Sequence, residues 1–464
     1  MLLRRRTSAS AVFALGALAL SMACSDDRED DLVEPTPDAG GSDTSTPDVD
    51  AGPIVDAARE DVDGALPKER VECKVTPCVI ALAARGGAHV CALFADETVA
   101  CWGADDKGQL GRGTPDAGDG PDHGARPQKV LGVSRATQIS AVGTGTSGTS
   151  CARIEDGAVM CWGANAHGQL LPVDGAALVD DAAHPTPARV EGLTSAARID
   201  VTGGFACATK PSSSERADGE LECWGWNSVL QLGRGHLPKQ HGGIAKVSLG
   251  FRTVIGASGN LRNAFALTSD GELLSWGGST WDKTGSKPIR DTLGRESSLT
   301  PDGTPTPIPG LEHVTSVSAS ENHACAVADG EVYCWGKNPT RALGNGSRQD
   351  VPTPYRVNTG TGQRLRDVAV SQQTSCARTV DGLVYCWGEN ADGQLGDGEA
   401  APTLYPVYVE ELGGAAFQVV AMDRATCALL RDGSVKCWGS NASGQLGMGT
   451  RDDLPHPKPQ KVVF

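Results

Sequence analysis

Residues Ser375–Gly398 read SCARTVDGLVYCWGENADGQLGDG. Two short apolar runs flank Asp381-Gly382, and an Asp-Gly pair between such runs is a β-hairpin signal. The second run ends on Trp387-Gly388 and leads into a GQLG tail, which returns after Ser440 as SNASGQLGMGT. Trp-Gly pairs recur at Trp102, Trp162, Trp224, Trp276, Trp335, Trp387 and Trp438, with spacings of 60, 62, 52, 59, 52 and 51 residues. One supersecondary unit is copied seven times with loop insertions, the pattern of arrays and propellers.

Upstream of each Trp-Gly lies a short run of alternating or small apolar residues, such as Ile139 to Val142, Val317 to Ala319, Val368 to Val370 and Val419 to Ala421. These read as strands. Downstream, each unit closes on a further segment: PQKVLG from Pro127, PARVEG from Pro187, IAKVSL from Ile244, PTPIPG from Pro305, PYRVNT from Pro354, YPVYV from Tyr405 and PQKVVF from Pro459. The expectation is an all-β chain with four strands per unit and no helix.

The repeat resembles that of the regulator of chromosome condensation family, whose unit reads roughly A-L-x-x-D-G-x-V-x-x-W-G-x-N-x-x-G-Q-L-G. The resemblance covers residues 79–464. Full tails stand at Gly108 to Gly111, Gly393 to Gly396 and Gly444 to Gly447, while Gly168 to Leu171 ends in Leu and three units keep only Leu232-Gly233, Leu293-Gly294 and Leu343-Gly344. The resemblance implies a seven-bladed β-propeller of four-stranded blades. It names no activity, because the family includes nucleotide exchange factors, a photoreceptor and secreted protein inhibitors.

The 15 cysteines bear on strand pairing independently. Cys151 and Cys161, Cys376 and Cys386, and Cys427 and Cys437 are each centred on the Asp of a three-residue loop ending in Gly, which places them opposite one another. Cys325 and Cys334 are one residue closer, and there Asp329-Gly330 alone forms a two-residue loop. Cys91 and Cys101 follow the longer pattern with Glu97 at the Gly position, and Cys207 and Cys223 flank a longer tip. In the fourth unit both positions change together, to Phe265 and Ser275. Opposed strand residues lie within disulfide reach, so these six pairs are expected as hairpin staples, with Cys73 and Cys78 as a seventh. Two-cysteine hairpins without converging His or Cys partners speak against metal sites, and an oxidising compartment follows.

Cys24 is left over. Arg4, Arg5 and Arg6 precede an apolar run from Ala11 to Leu20, too short to span a bilayer, and Leu20-Ser21-Met22-Ala23-Cys24 resembles a bacterial lipoprotein cleavage box. Residues 1–23 are accordingly expected as a signal peptide and Cys24 as the acylated residue that anchors the chain in a lipid bilayer. Residues 25–70 hold 15 Asp or Glu against 4 Lys or Arg, a composition unable to bury a core. With that Cys they read as a tether, residues 24–70, of roughly 150 Å maximum reach. The propeller is then 71–464, and the expected location is the extracytoplasmic bacterial envelope, at the outer membrane or cell surface.

Net charge is −16 overall, of which +3 falls in the signal and −11 in the tether, leaving −8 on residues 71–464. Nucleic acid is not expected as a partner, since phosphate binding needs concentrated Lys and Arg. GQLGRG from Gly108 lacks the Lys-Ser/Thr and the helix of a phosphate loop. One Trp per unit at a fixed position points to blade packing, leaving Trp226 and Trp281 outside the pattern. His89 and His323 occupy a position that other units fill with Thr, Phe, Asn or Ala, unlike a ligand set. The alternative is a glycosidase-like hydrolase with a site built from blade insertions; against the sialidase type, the Asp-Gly turns lack the spacing of an Asp box, and only Tyr355, Tyr405 and Tyr408 stand outside repeat positions. Specificity is expected in insertions. The longest, Gly278 to Pro307, carries Trp281, Lys283, Lys287, Arg290 and Arg295, which together with Trp226 suit an anionic or carbohydrate surface. The reading is a monomeric, non-catalytic scaffold without cofactor or metal, binding a protein or glycan at the envelope. Whether residues 71–78 add a strand to close the ring is left open.

Overall fold

The Asp156-Gly157 turn shows how the repeat folds. Arg153 pairs with Val159 across it, the Ile154 N–H donates to Ala158 O at 2.9 Å, and Gly157 takes the third loop position at φ 80°. A left-handed residue there matches the twist of the two strands. Glu97 adopts φ 63° at the same position in the first unit. Ala328 pairs directly with Glu331, so Asp329 at φ 53° and Gly330 at φ 80° form the shorter two-residue turn.

The computed structural model describes residues 69–113, 124–145, 147–170, 172–173, 176–177, 179–211, 219–235, 240–278, 292–299 and 301–464. Among them the strands form seven four-stranded antiparallel sheets, six built from consecutive strands and the second interrupted before its outer strand by a two-stranded hairpin, Pro172–Val173 with Ala176–Ala177. Blade 1 comprises Val79–Ala83, His89–Phe94, Val99–Gly103 and Gln128–Lys129, and blade 7 comprises Ala416–Ala421, Ala425–Leu430, Val435–Asn441 and Asp452–Lys461. The architecture is a seven-bladed all-β propeller.

Six cysteine pairs face each other in register between second and third strands, with Cα separations of 4.0 to 4.1 Å, and all six are bonded. Phe265 faces Ser275 at the equivalent place in blade 4. Cys73 and Cys78 form a seventh bond.

In blades 2 to 7 the outer strands start earlier than the downstream motifs indicate, while that of blade 1, Gln128–Lys129, falls within its motif. In blade 5 the strand is Val351–Arg356, and Val357 just beyond it is buried and donates its N–H to Val332 O at 2.8 Å. Those motifs mark the last part of an exposed strand and the apolar anchor after it. The strand itself is obscured by prolines, which an edge strand tolerates because its outward N–H groups have no partner.

The core lies between blades. The cluster around Trp438, for example, joins Val384 and Leu395 of blade 6 to Val419 and Leu430 of blade 7. Every repeated tryptophan is buried and donates its indole N–H to a backbone carbonyl in the preceding blade's tail. Trp162 reaches Gln109 O at 2.8 Å, Trp438 reaches Gln394 O at 2.9 Å, and Trp102 of blade 1 reaches Gln445 O of blade 7 at 3.0 Å, closing the circle. The GQLG glutamine folds back on its own turn, as Gln394 Oε1 accepting from Asp392 N at 3.0 Å shows. The final Gly is required by proximity: a Cβ at Gly396, already at φ 76°, would lie 2.7 Å from Trp438 Nε1.

Innermost strands expose an unpaired edge to the central axis, a liability in any sheet. Side chains of the preceding blade cap it. Gln418 Oε1 accepts from Leu82 N and Gln138 Oε1 from Ile199 N, both at 2.8 Å, and Ser318 Oγ accepts from Val370 N at 3.1 Å.

Residues 71–78 add no strand. They run back across the junction of blades 7 and 1 as a strap: Glu72 N donates to Arg431 O at 2.7 Å, Lys74 N to Asp432 O at 2.8 Å and Val79 N to Gly433 O at 3.1 Å. At its start the buried Glu69 carboxylate meets Arg378 at 2.8 Å, Arg366 at 3.2 Å and Arg431 at 2.6 Å, while Asp367 holds the other side of Arg378. At the opposite end of the chain Phe464 packs edge-on against Phe94 and Trp102 of blade 1, with ring centroids 5.3 and 5.9 Å apart.

Candidate partner-binding face

Antiparallel alternation sorts the connections onto two faces. Asp-Gly turns and outer-to-inner connections occupy one, the hairpin face; inner-to-second loops and the GQLG tails occupy the other, the loop face. The loop face is knitted near the axis by carboxylates. Glu321 Oε1 accepts from Leu261 N at 2.8 Å and Asp423 Oδ1 from Gln372 N at 3.4 Å, each linking neighbouring blades. Burial pushes both carboxyls up, toward the protonated form. Farther out, the exposed Arg424 grips Asp392 with two bonds of 2.7 and 2.6 Å.

Trp226 lies on this face. It stacks on His167 of blade 2 with ring centroids 4.7 Å apart and pairs across strands with His241. Burial and the nearby His241 lower the His167 pKa, keeping the imidazole neutral. The half-buried indole thus offers one apolar edge beside two imidazoles, a rigid platform at the junction of blades 2 and 3.

Arg295 corrects the sequence expectation. Its side chain is only 5 % exposed and pairs with Asp302 at 2.9 Å, while also donating to Ser275 Oγ at 3.1 Å and Ser275 O at 2.9 Å. It ties the third strand of blade 4 to its outer strand and is not available to a partner. The sequence offers Arg295 to a partner because the residue that buries it, Asp302, belongs to a strand the prolines conceal. Trp281, Lys283, Lys287, Arg290 and Cys24 lie outside the described residues.

The buried histidines serve the frame. His89 Nε2 meets Ser150 Oγ at 3.0 Å and His323 Nε2 meets Ser375 Oγ at 2.7 Å, in each case on the next blade. Burial lowers their pKa values to about 4 and about 3. Among the described residues no group of three His, Cys, Asp or Glu side chains converges as a metal site. Tyr355, Tyr405 and Tyr408 stand exposed on the outer strands of blades 5 and 6, away from any carboxylate pair at the axis.

These features define a repeat propeller whose repeated residues build the frame. The chain belongs to the regulator of chromosome condensation repeat family. The family's repeat matches residues 329–378 and 381–429, and a second form of it matches 314–339, 365–394 and 418–445. The ultraviolet-B receptor UVR8 of Arabidopsis thaliana is 30% identical over 351 residues, 73% of each chain. The human E3 ubiquitin-protein ligase HERC2 is 28% identical over 316 residues, which span 65% of this chain but 6% of that protein. Prp20p of Saccharomyces cerevisiae, described with its binding to Gsp1p and histones, superposes with a TM-score of 0.62 at 20% identity, covering 83% of this chain and 88% of that one.

Proposed function

We propose that the protein is a non-catalytic binding scaffold, tethered to the bacterial envelope through an acylated Cys24 and an acidic linker, that presents its loop face to a protein or glycan partner. The observation that carries this reading is the division of labour among its residues. The seven tryptophans, the tails and the buried histidines are consumed in blade-to-blade bonds, whereas Trp226 falls on the loop face, the face from which the third-to-outer connection of blade 4 departs after Gly277. Rigid frames with variable loops are how binding sites are built on shared folds. The protein partners named for Prp20p make a protein the first class to test.

Residues 279–291 are the segment to remove, because Thr292 O accepts from Trp335 at 2.7 Å and Arg295 and Asp302 hold the outer strand. Pulldown of envelope extracts with the full chain is expected to recover a saturable partner that the shortened chain loses, with an unchanged unfolding midpoint. Full retention of the partner by the shortened chain sinks the assignment. Release of Cys24→Ala from membranes tests the anchor separately.

A further inference from the structure

Arg85 stands four residues before the second strand of blade 1, where five other blades place Val201, Gly259, Ala319, Val370 and Ala421. The backbone there is fixed from both sides. Arg85 bridges to Ala421 of blade 7, and its carbonyl accepts from Gly143 N of blade 2 at 3.0 Å. At Gly86 a Cβ would lie 2.7 Å from Gly143 O, so only glycine lets the loops close. The Arg85 side chain is thereby directed across the axis. Its Nη1 donates to Ser258 Oγ of blade 4 at 2.9 Å and its Nη2 to Val201 O of blade 3 at 2.5 Å.

The guanidinium divides the axial bore into two. On the loop side lies a small space under Glu321, and among the inner strands lies a larger one of about 100 Å³, several times the roughly 10–15 Å³ that admits one water. Arg85 Nε is buried without a hydrogen-bond partner, and among the described residues Arg85 makes no ion pair. Burial accordingly lowers its pKa, with Asp200 and Glu321 opposing the shift. Asp200, the one carboxylate lining the larger space, is held by Arg198 at 3.0 Å and caps Ala257 N at 3.2 Å. The lining of the larger space, Arg85, Arg198 and Asp200, thus carries one positive charge in excess, while Glu321 faces Arg85 from the smaller space. The Ser140, Ser258 and Ser318 hydroxyls accept from Val201 N, Arg85 and Val370 N at 3.0, 2.9 and 3.1 Å. None donates to a protein acceptor among the described residues, which leaves three O–H groups around the same space.

We propose that the axial bore is a binding site for one small oxyanion, a carboxylate or a phosphate group, held by Arg85 and the serine hydroxyls. A desolvated cation is costly without a counter-charge, and a charge-assisted bond to an oxyanion supplies one. The space admits a group of a few heavy atoms and excludes a nucleotide.

Calorimetric titration of the full chain with acetate and with inorganic phosphate, at constant ionic strength, is expected to show one saturable site. Arg85→Met should lose at least tenfold in affinity, while Arg424→Met, at an exposed guanidinium, should leave it unchanged. Adenosine monophosphate should not displace either probe. Absence of saturable binding, equal affinity in Arg85→Met, or displacement by the nucleotide overturns the proposal. The titration and the displacement are read on the unaltered protein, so they decide the matter even if Arg85→Met does not fold.

Discussion

A single repeated tryptophan carries three duties: it fills the space between blades, satisfies its own N–H and covers the Gly of the preceding tail. Trp276→Ala is therefore expected to lower stability by about 3–5 kcal/mol in chemical denaturation, with the Gln231 carbonyl left unpaired as well. Gly396→Ala should also destabilise, because the new methyl meets Trp438 in a backbone conformation that already disfavours a side chain. The histidines set the acid response. His89 and His323 are neutral in the fold, with pKa values of about 4 and about 3, whereas in the unfolded chain they take up protons near about 6.5. The unfolded state binds more protons across that interval, so stability is full above about pH 6.5 and falls as pH drops toward these folded values. Denaturation midpoints at pH 7 and pH 5 should differ, and His323→Gln should narrow the difference; equal midpoints in the parent protein would refute the assignment.

At the scale of the element, hairpins were legible because turn chemistry and cysteine spacing are local. The nine- and ten-residue separations encode two different turns that deliver the same register. The Cys376→Ser, Cys386→Ser double variant should still form its hairpin, as the Phe265 and Ser275 pair does in blade 4, at a cost of about 2–3 kcal/mol for the lost loop constraint. Peptide mapping without reduction checks the pairing directly. The outer strands were only half legible, since proline and exposed polar residues hide an edge strand while its buried anchor stands out. Arg85 and Glu69 were missed because each finds its partners in distant segments, and Arg295 was misread because the nearby Asp302 sits in a proline-rich strand. Only Arg85 left a trace, an arginine where the other copies are small or apolar.

For the whole molecule the junction of blades 7 and 1 is decisive, because no peptide linkage crosses it within the ring. Indole, glutamine and aromatic contacts hold it from inside, and the strap holds it from the hairpin face. Glu69→Gln removes the carboxylate shared by the buried Arg366 and Arg378 and by the more exposed Arg431, and loss of one partner of a buried ion pair costs about 3–5 kcal/mol. Hydrogen exchange in that variant should accelerate first in blades 7, 1 and 6. Uniform acceleration around the ring would show that the strap is not a local closure.

The strap also decides how the ring bears load. A pull on the chain ahead of Glu69 enters on the hairpin face, so the loop face points away from the direction of tension. That force meets the arginine cluster first and the Cys73 to Cys78 loop next. The ring should behave like a wheel hung from a buckle: in single-molecule stretching from the two ends of the chain, a small early rip that disappears in Glu69→Gln is expected ahead of blade unravelling, with each remaining hairpin staple shortening the length released.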